Sequence, residues 1–464
     1  MSCRPSLPRD SVLIALYHFH AKELLNVMAA NRAGEIATTL SKPTSLVRFS
    51  STIALSRETF WVLQGWGLLL LVTMSFFPRL FHVEEYLFFL LLASTMVVAY
   101  KTGTPIRTPT PLDVPLLLFA AWVLLTVPFA IDPVYSFGEW RKLAVQVLVF
   151  YWALLVLHQN GHRGMTPKVM IVVVIATTIV SCYALQDFLS RGGTWENRSI
   201  RASAPSSDYN WLATYLVMAI PIIAVPLVVW KDRVNRVVLT CVGTVAFAAQ
   251  AVAYTRAGWI GMIAEGVALG FFTARRQIII WVLGAALFIG ALLIALSHWG
   301  YQKDTIDPWT LADARLGVWK LQLQEVAHHP LLGIGYGSKT FMMRFSGYLE
   351  TEKAEGSHST FLMIAMGSGI PGVALLFCVM LRTVRVLVQR AKHVVDEERR
   401  IFMLAVAIMI VGFATRNIFD YMFAGSLAYL YWLLVASAVN SQLSTTNGTE
   451  KFESKPRYKD TLPA

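Results

Sequence analysis

Charge is what this sequence has least of. Asp, Glu, Lys and Arg make up 15% of 464 residues against 56% hydrophobic, and mean hydropathy is +0.54. A soluble domain is excluded, because at this length most of its surface would be apolar. Cysteine is nearly absent. Of the four, Cys182, Cys241 and Cys378 lie inside apolar runs and Cys3 at the start, which excludes a disulfide framework. Residues 1–57 carry no clean apolar core of a cleavable signal peptide. The apolar runs lack two-residue alternation, which excludes a membrane β-barrel. No Asp-x-Asp occurs. His328 and His329 are adjacent and would point apart on a helix, and of the acidic pair Asp304/Asp307 the second is better read as a helix cap. A carboxylate-rich metal site is therefore not expected, and no cofactor is called for.

What is abundant is apolar runs near twenty residues long, each enough to cross a hydrocarbon core about 30 Å thick. They fall at roughly 59–77, 81–100, 113–131, 138–157, 168–188, 209–230, 236–254, 257–273, 278–297, 359–381, 400–415 and 421–439. The expected fold is all-α and polytopic, with about twelve transmembrane helices and both termini on one side. The net charge of +12 reads first as topology, not as a nucleic-acid partner. Basic segments at Lys231/Arg233/Arg236, Arg275-Arg276, Arg382/Arg385/Arg390/Lys392 and Arg399-Arg400 alternate with less basic loops and mark the cytoplasmic side. The expected organisation is a poorly ordered N-terminal cytoplasmic segment (1–57), a transmembrane domain (58–440) and a cytoplasmic tail (441–464). A large loop at 298–358 lies within the domain on the opposite, periplasmic face, between spans 9 and 10.

In that loop Asp307-Pro308 is a helix start, an acid cap followed by Pro in the first turn. Leu316, Trp319, Leu323 and Val326 recur near helical spacing and predict an amphipathic helix over the membrane mouth. His328-His329-Pro330 stops it, and Gly333-Ile334-Gly335-Tyr336-Gly337 predicts a flexible hinge leading back to His358.

His358 opens HSTFLMIAMGSGIPG at the edge of an apolar span, where a titratable imidazole meets both membrane and water. Gly369 and Gly372 in this motif are expected to let a neighbouring helix approach closely. Arginines on the translocated face, against the positive-inside trend, need a reason to be there: Arg201, Arg256, Arg315 and Arg416. The spacing His358-Ser359, nine residues, Gly369, two residues, Gly372 resembles the histidine motif of the bacterial O-antigen ligase family. Three further pieces in the same order are similar to that family. Arg201 with Asn210 and Ala213 is a partial match, since Ala204 stands where Gly is usual and Ser206 where an aromatic is common. Arg256 stands in TRAGWIG, and Arg315 in RLGVWKLQL followed by HPLLGIGYG. The resemblance covers about residues 195–375.

The resemblance implies a C-type membrane glycosyltransferase in the bacterial inner membrane. It would move a polysaccharide from undecaprenyl diphosphate to a lipid A core sugar on the periplasmic side, in lipopolysaccharide biosynthesis. Its partners would be the carrier-linked donor, the lipid A core acceptor and membrane lipids. The leaving diphosphate gains negative charge, which forked guanidinium donors can stabilise without a metal. Arg256 and Arg315 are the candidates for this, with Arg201, Asn210, Arg416 and Asp420 binding substrate. The acceptor hydroxyl needs a base, and His358 is the natural one; with no facing carboxylate pair, displacement would invert the anomeric centre. Asp420 would orient His358 or bind sugar hydroxyls.

Plainer readings stand beside these: a helix-capping His358, a snorkelling Arg201, a solvated surface pair at Arg315 and a simple i,i+4 pair between Arg416 and Asp420. An O-antigen polymerase or a protein O-oligosaccharyltransferase of the same superfamily is the alternative function. A transporter or flippase would instead place its charges at mid-membrane.

Overall fold

The computed structural model describes residues 57–106, 108–161, 164–194, 200–205, 207–229, 232–298, 308–346 and 358–440. The N-terminal segment to residue 56, the tail from 441 and the Asp304/Asp307 pair fall outside these. The regular elements are all helical: α1 (Arg57–Met74), α2 (Phe81–Thr102), α3 (Asp113–Thr126), α4 (Pro133–Gln159), α5 (Met165–Ser190), α6 (Tyr209–Val229) and α7 (Arg233–Val252). They continue with α8 (Arg256–Phe272), α9 (Arg276–His298), α10 (Pro308–His328), α11 (Ser338–Arg344), α12 (Thr360–Ala391), α13 (Glu397–Asn417) and α14 (Gly425–Asn440). No strand occurs among the described residues.

Each apolar run read from the sequence is helical. Among the described residues, six helical stretches are long and apolar enough to cross a membrane: Pro78–Thr102, α4, α5, α6, α7 and α12. Shorter apolar helices cover Asp113–Phe129, Arg276–Phe288 and α14. The chain is a multi-pass helical membrane protein. Its boundaries follow local chemistry. Asp132 caps α4 by accepting from the Tyr135 amide, with Pro133 in the first turn. Asp232 caps α7, and Asp396 accepts from two amides at the start of α13. Each cap satisfies donors that a helix start leaves open.

α14 is buried on every side, as a helix apolar all round must be. It packs on α4, while α13 is held between α6, α8 and α12. Small residues set these distances. A Cβ at Gly261 of α8 would come 3.1 Å from the Gly412 carbonyl oxygen of α13.

α12 is not one continuous helix. Ser368 and Gly369 leave helical geometry, Gly369 with φ 75° and ψ 177°, and Pro371 follows. Such a conformation belongs to glycine. The break strands carbonyls inside an apolar bundle, and the stretch 330–335 satisfies them. Ile334 N donates to Met366 O (2.9 Å), Gly335 N to Gly367 O (3.0 Å), and Ile370 N returns to Pro330 O (2.8 Å). Trp122 Nε1 takes the Ser368 carbonyl at 2.9 Å. The Gly-rich hinge expected at 333–337 is thus a docked strap. The close approach expected at Gly369 is made by that strap rather than by a helix, since a Cβ at Gly369 would collide with the Leu331 carbonyl.

The structure also orients α10. Val326 is buried, Leu316 and Leu323 are 58% and 55% exposed, and Gln322 is 0% and Glu325 4% exposed. The face turned to the protein is Val318, Gln322, Glu325 and Val326, and it packs on Met363, Ala365 and Met366 of α12. Apolar periodicity identifies the helix and leaves open which of its faces meets protein.

Candidate active site at one end of the bundle

The starts of α6, α8 and α12 and the ends of α7 and α13 share one end of the bundle, joined by the hydrogen bonds and close contacts that follow. His358 immediately precedes α12 with a left-handed backbone (φ 49°) and is half-buried. The cap of α12 is its neighbour: the Ser359 hydroxyl accepts from Leu362 N at 3.3 Å. The capping role thus falls to Ser359. Thr360 then ties this end of α12 to the turn after α13, its amide donating to Asp420 O (2.9 Å) and its hydroxyl to Asn417 Oδ1 (2.7 Å).

Arg416, in the last turn of α13, is 0% exposed. Its Nε donates to Thr214 Oγ1 (2.6 Å) and its Nη2 to the Asn210 carbonyl (2.8 Å), both on α6. Nη2 also faces Asp420 Oδ2 at 3.4 Å, so the expected i,i+4 pair exists but is one contact among several. Nη1 has no hydrogen-bond partner among the described residues. The charged groups acting on this guanidinium are Asp420, Asp208 and Arg315. A buried cation in this setting is held by neutral oxygens as much as by a carboxylate, and one of its nitrogens is buried without a hydrogen bond among the described residues.

Arg315 is exposed on α10. One turn later the Trp319 ring lies 5.9 Å from Phe419, which sets that turn against the loop carrying Asp420. Arg256 is the first residue of α8 and is exposed. Neither Arg256 nor Arg315 makes a hydrogen bond or ion pair among the described residues, so the surface ion pair considered for Arg315 is not formed there. Arg256 belongs to the same end because α8 packs its first turns against α6 and α13. A Cβ at Gly258 would lie 3.3 Å from Ala213 Cβ, and one at Gly261 would lie 3.4 Å from Arg416 Cβ. Arg201 lays its guanidinium over the Tyr209 ring at 4.4 Å, and Ala202 N donates to Val252 O (2.9 Å). No bond joins Arg201 or Arg256 to the Arg416 network among the described residues. On the strap, burial and then the Glu139 carboxylate push the Tyr336 phenol well above its ordinary range, so it stays neutral.

Four members of the network were not singled out from sequence: Asp208, Thr214, Thr360 and Asn417. Glu265 was also missed, a lone acid in an apolar run. It is buried on α8 against Gly412, with neither carboxyl oxygen hydrogen-bonded among the described residues. Its signal was legible, since an ionisable side chain inside a span is a functional candidate by default. Among the described residues, no three His, Cys, Asp or Glu side chains are grouped as a metal would require.

Residues 244–377 match the O-Antigen ligase family model. The O-antigen ligase match runs from α7 into α12. It contains Arg256, Arg315 and His358 and stops short of Arg201, Asn210, Arg416 and Asp420. No curated protein matches the chain. Over this stretch the chain is similar to the O-antigen ligase/polymerase superfamily, and the likeness implies glycosyl transfer from lipid-linked glycans in a membrane.

Proposed function

We propose that the protein is an O-antigen ligase, transferring a polysaccharide from undecaprenyl diphosphate to a lipid A core sugar. It would act at the periplasmic face of a bacterial inner membrane, which it crosses with about twelve spans. The observation that carries this reading is the buried Arg416 guanidinium, fixed by Thr214, Asn210 and Asp420 with one nitrogen unpaired among the described residues, at the same end as His358.

In the reaction the acceptor hydroxyl oxygen attacks the anomeric carbon as the bond to the diphosphate oxygen breaks. The electron pair leaves with the diphosphate, and the hydroxyl proton passes to the His358 imidazole. One displacement inverts the configuration. Arg256 and Arg315, which carry no internal counter-ion among the described residues, meet the charge that develops on the diphosphate. Arg416 adds a rigid donor at the edge of the site, held at its depth by α6. Preorganised donors of this kind need no rearrangement as charge moves, which is where their catalytic value lies. Arg201, stacked on Tyr209, and Asp420 are assigned to the glycan and to the orientation of His358. Most of the candidate residues gather at one end of the bundle, as suits an enzyme better than a transporter, with Glu265 the buried acid deeper in a span.

The test is transfer by the purified, reconstituted protein from a polyprenyl-diphosphate glycan to lipid A core. His358→Ala should lower the rate by about 10²–10⁴, the range of general-base catalysis, with donor binding nearly intact. His358→Asn keeps a hydrogen-bonding side chain but no base, and near-wild-type transfer by it would overturn the assignment. Elongation of one carrier-linked glycan by another, with no product on the core, would move the protein to the polymerase branch.

A further inference from the structure

α10 is built the wrong way round for a helix in water. Its protein-facing side sets Gln322 and Glu325 among Val318 and Val326, all buried, with Glu325 paired with Arg344 Nε at 3.1 Å. Its outer side carries Leu316, Lys320, Leu323 and Ala327, all exposed, at the i, i+4, i+7, i+11 spacing of a single stripe. Leu331, beyond the helix end, and Met342 and Met343 of α11 add exposed apolar area. Polar groups inside and leucines outside describe a helix whose surroundings are apolar, and α10 is not among the stretches able to cross a membrane.

Among the described side chains between residues 315 and 346, the exposed charges have one sign. Between residues 315 and 346 the cationic side chains Arg315, Lys320, Lys339 and Arg344 are exposed. The acid in that stretch is Glu325, which is buried. Exposed leucines beside Arg315 and Lys320 on one helix fit an anionic lipid surface: apolar side chains enter the upper acyl region while the cations reach headgroups. A protein partner would need a matching acidic apolar surface, and nothing on this face favours one.

We propose that α10 is an interfacial helix, its Leu316–Lys320–Leu323 stripe resting on the anionic leaflet in which the chain is embedded. The contact would hold Arg315 at headgroup depth, the level at which a lipid-borne phosphate arrives. The inference does not depend on the transferase reading, since it concerns the helix and the lipid alone.

The experiment uses the full chain, with its cysteines replaced by alanine and a single Leu323→Cys labelled with an environment-sensitive fluorophore. The protein is reconstituted into phosphatidylcholine vesicles with or without phosphatidylglycerol, a fraction of the lipid brominated on its acyl chains. Leu316→Cys gives a second probe on the stripe, and His328→Cys, exposed on the flank of α10, is the comparison. The expected result is blue-shifted emission and several-fold stronger quenching at 316 and 323 than at 328. The shift should grow with phosphatidylglycerol and shrink on Lys320→Gln. Water-like emission without quenching at both stripe positions would overturn the proposal. So would a blue shift that appears only as the protein density in the membrane rises, which would assign the stripe to a second copy of the chain.

Discussion

Replacing Gly369 by alanine tests whether the broken α12 is held by the strap at 330–335. The residue stands at φ 75°, ψ 177°, so a Cβ there is strained before any neighbour is considered, by about 1–3 kcal/mol. The neighbour is backbone: the new Cβ meets the Leu331 carbonyl oxygen and then the Pro330 oxygen at 2.8 Å. Backbone pinned on both sides cannot step aside as a flexible side chain would. Relief therefore requires sliding the strap, which opens some or all of the bonds from Ile334, Gly335 and Ile370. At about 1 kcal/mol per bond, added to the strain, the loss comes to about 2–6 kcal/mol. The assay is unfolding of the purified protein in mixed micelles, titrated with SDS and followed by tryptophan fluorescence. Gly138→Ala is the matched control. It lies in α4 with nothing within 4 Å of its Cβ position, and should be neutral or stabilising by up to about 1 kcal/mol. Equal midpoints for the two variants would refute the reasoning, because the strap would then not be holding the break.

Arg256→Ala and Arg315→Ala should lose transfer while keeping expression and the unfolding midpoint, since neither side chain is hydrogen-bonded or ion-paired among the described residues. Lysine at either position should rescue poorly, because a point charge cannot reproduce a bidentate fork; wild-type rates from both lysine variants would count against diphosphate binding. Arg416→Met, in contrast, should lower stability by about 3–5 kcal/mol, the usual result of removing one member of a buried ion pair. An unchanged SDS midpoint would contradict the described network. Transfer should survive EDTA in the reconstituted assay, and activity lost on chelation and restored by magnesium or manganese would point to a metal site. Single cysteines at Ser203 and Lys320 should react in intact cells with a thiol reagent that does not cross the inner membrane, and protection of either would reverse the proposed sidedness.

The helices were legible because burial in lipid leaves so plain a mark: runs of about twenty apolar residues have few other uses. The pair Arg416 and Asp420 was legible for a similar reason, being a spacing on one helix. What holds Arg416 was not. Its strongest contacts, to Thr214 and Asn210, cross some two hundred positions of chain (|i−j| of 202 and 206), and one of them is to a carbonyl, which no side-chain pattern records. Gly369 was visible in the motif, but its role depends on a strap thirty-odd residues earlier whose partners are main-chain atoms. The orientation of α10 was not legible either. Apolar periodicity says which residues avoid water. It does not say whether protein or lipid takes them, and Leu316 and Leu323 stand exposed where Val326 is buried.

The break in α12 also bears on how the chain is assembled. A span that enters lipid normally brings all of its backbone hydrogen bonds with it, and an unmet carbonyl in hydrocarbon is unfavourable by several kcal/mol. The Met366 and Gly367 carbonyls find their donors at Ile334 and Gly335, in a stretch synthesised earlier and outside the span. α12 cannot therefore mature as an independent unit. The strap has to be waiting on the far side when the span arrives, so folding of the soluble loop and insertion of the helix become one event. A variant of the strap should accordingly be cleared by quality control at the membrane before any catalytic defect can be measured.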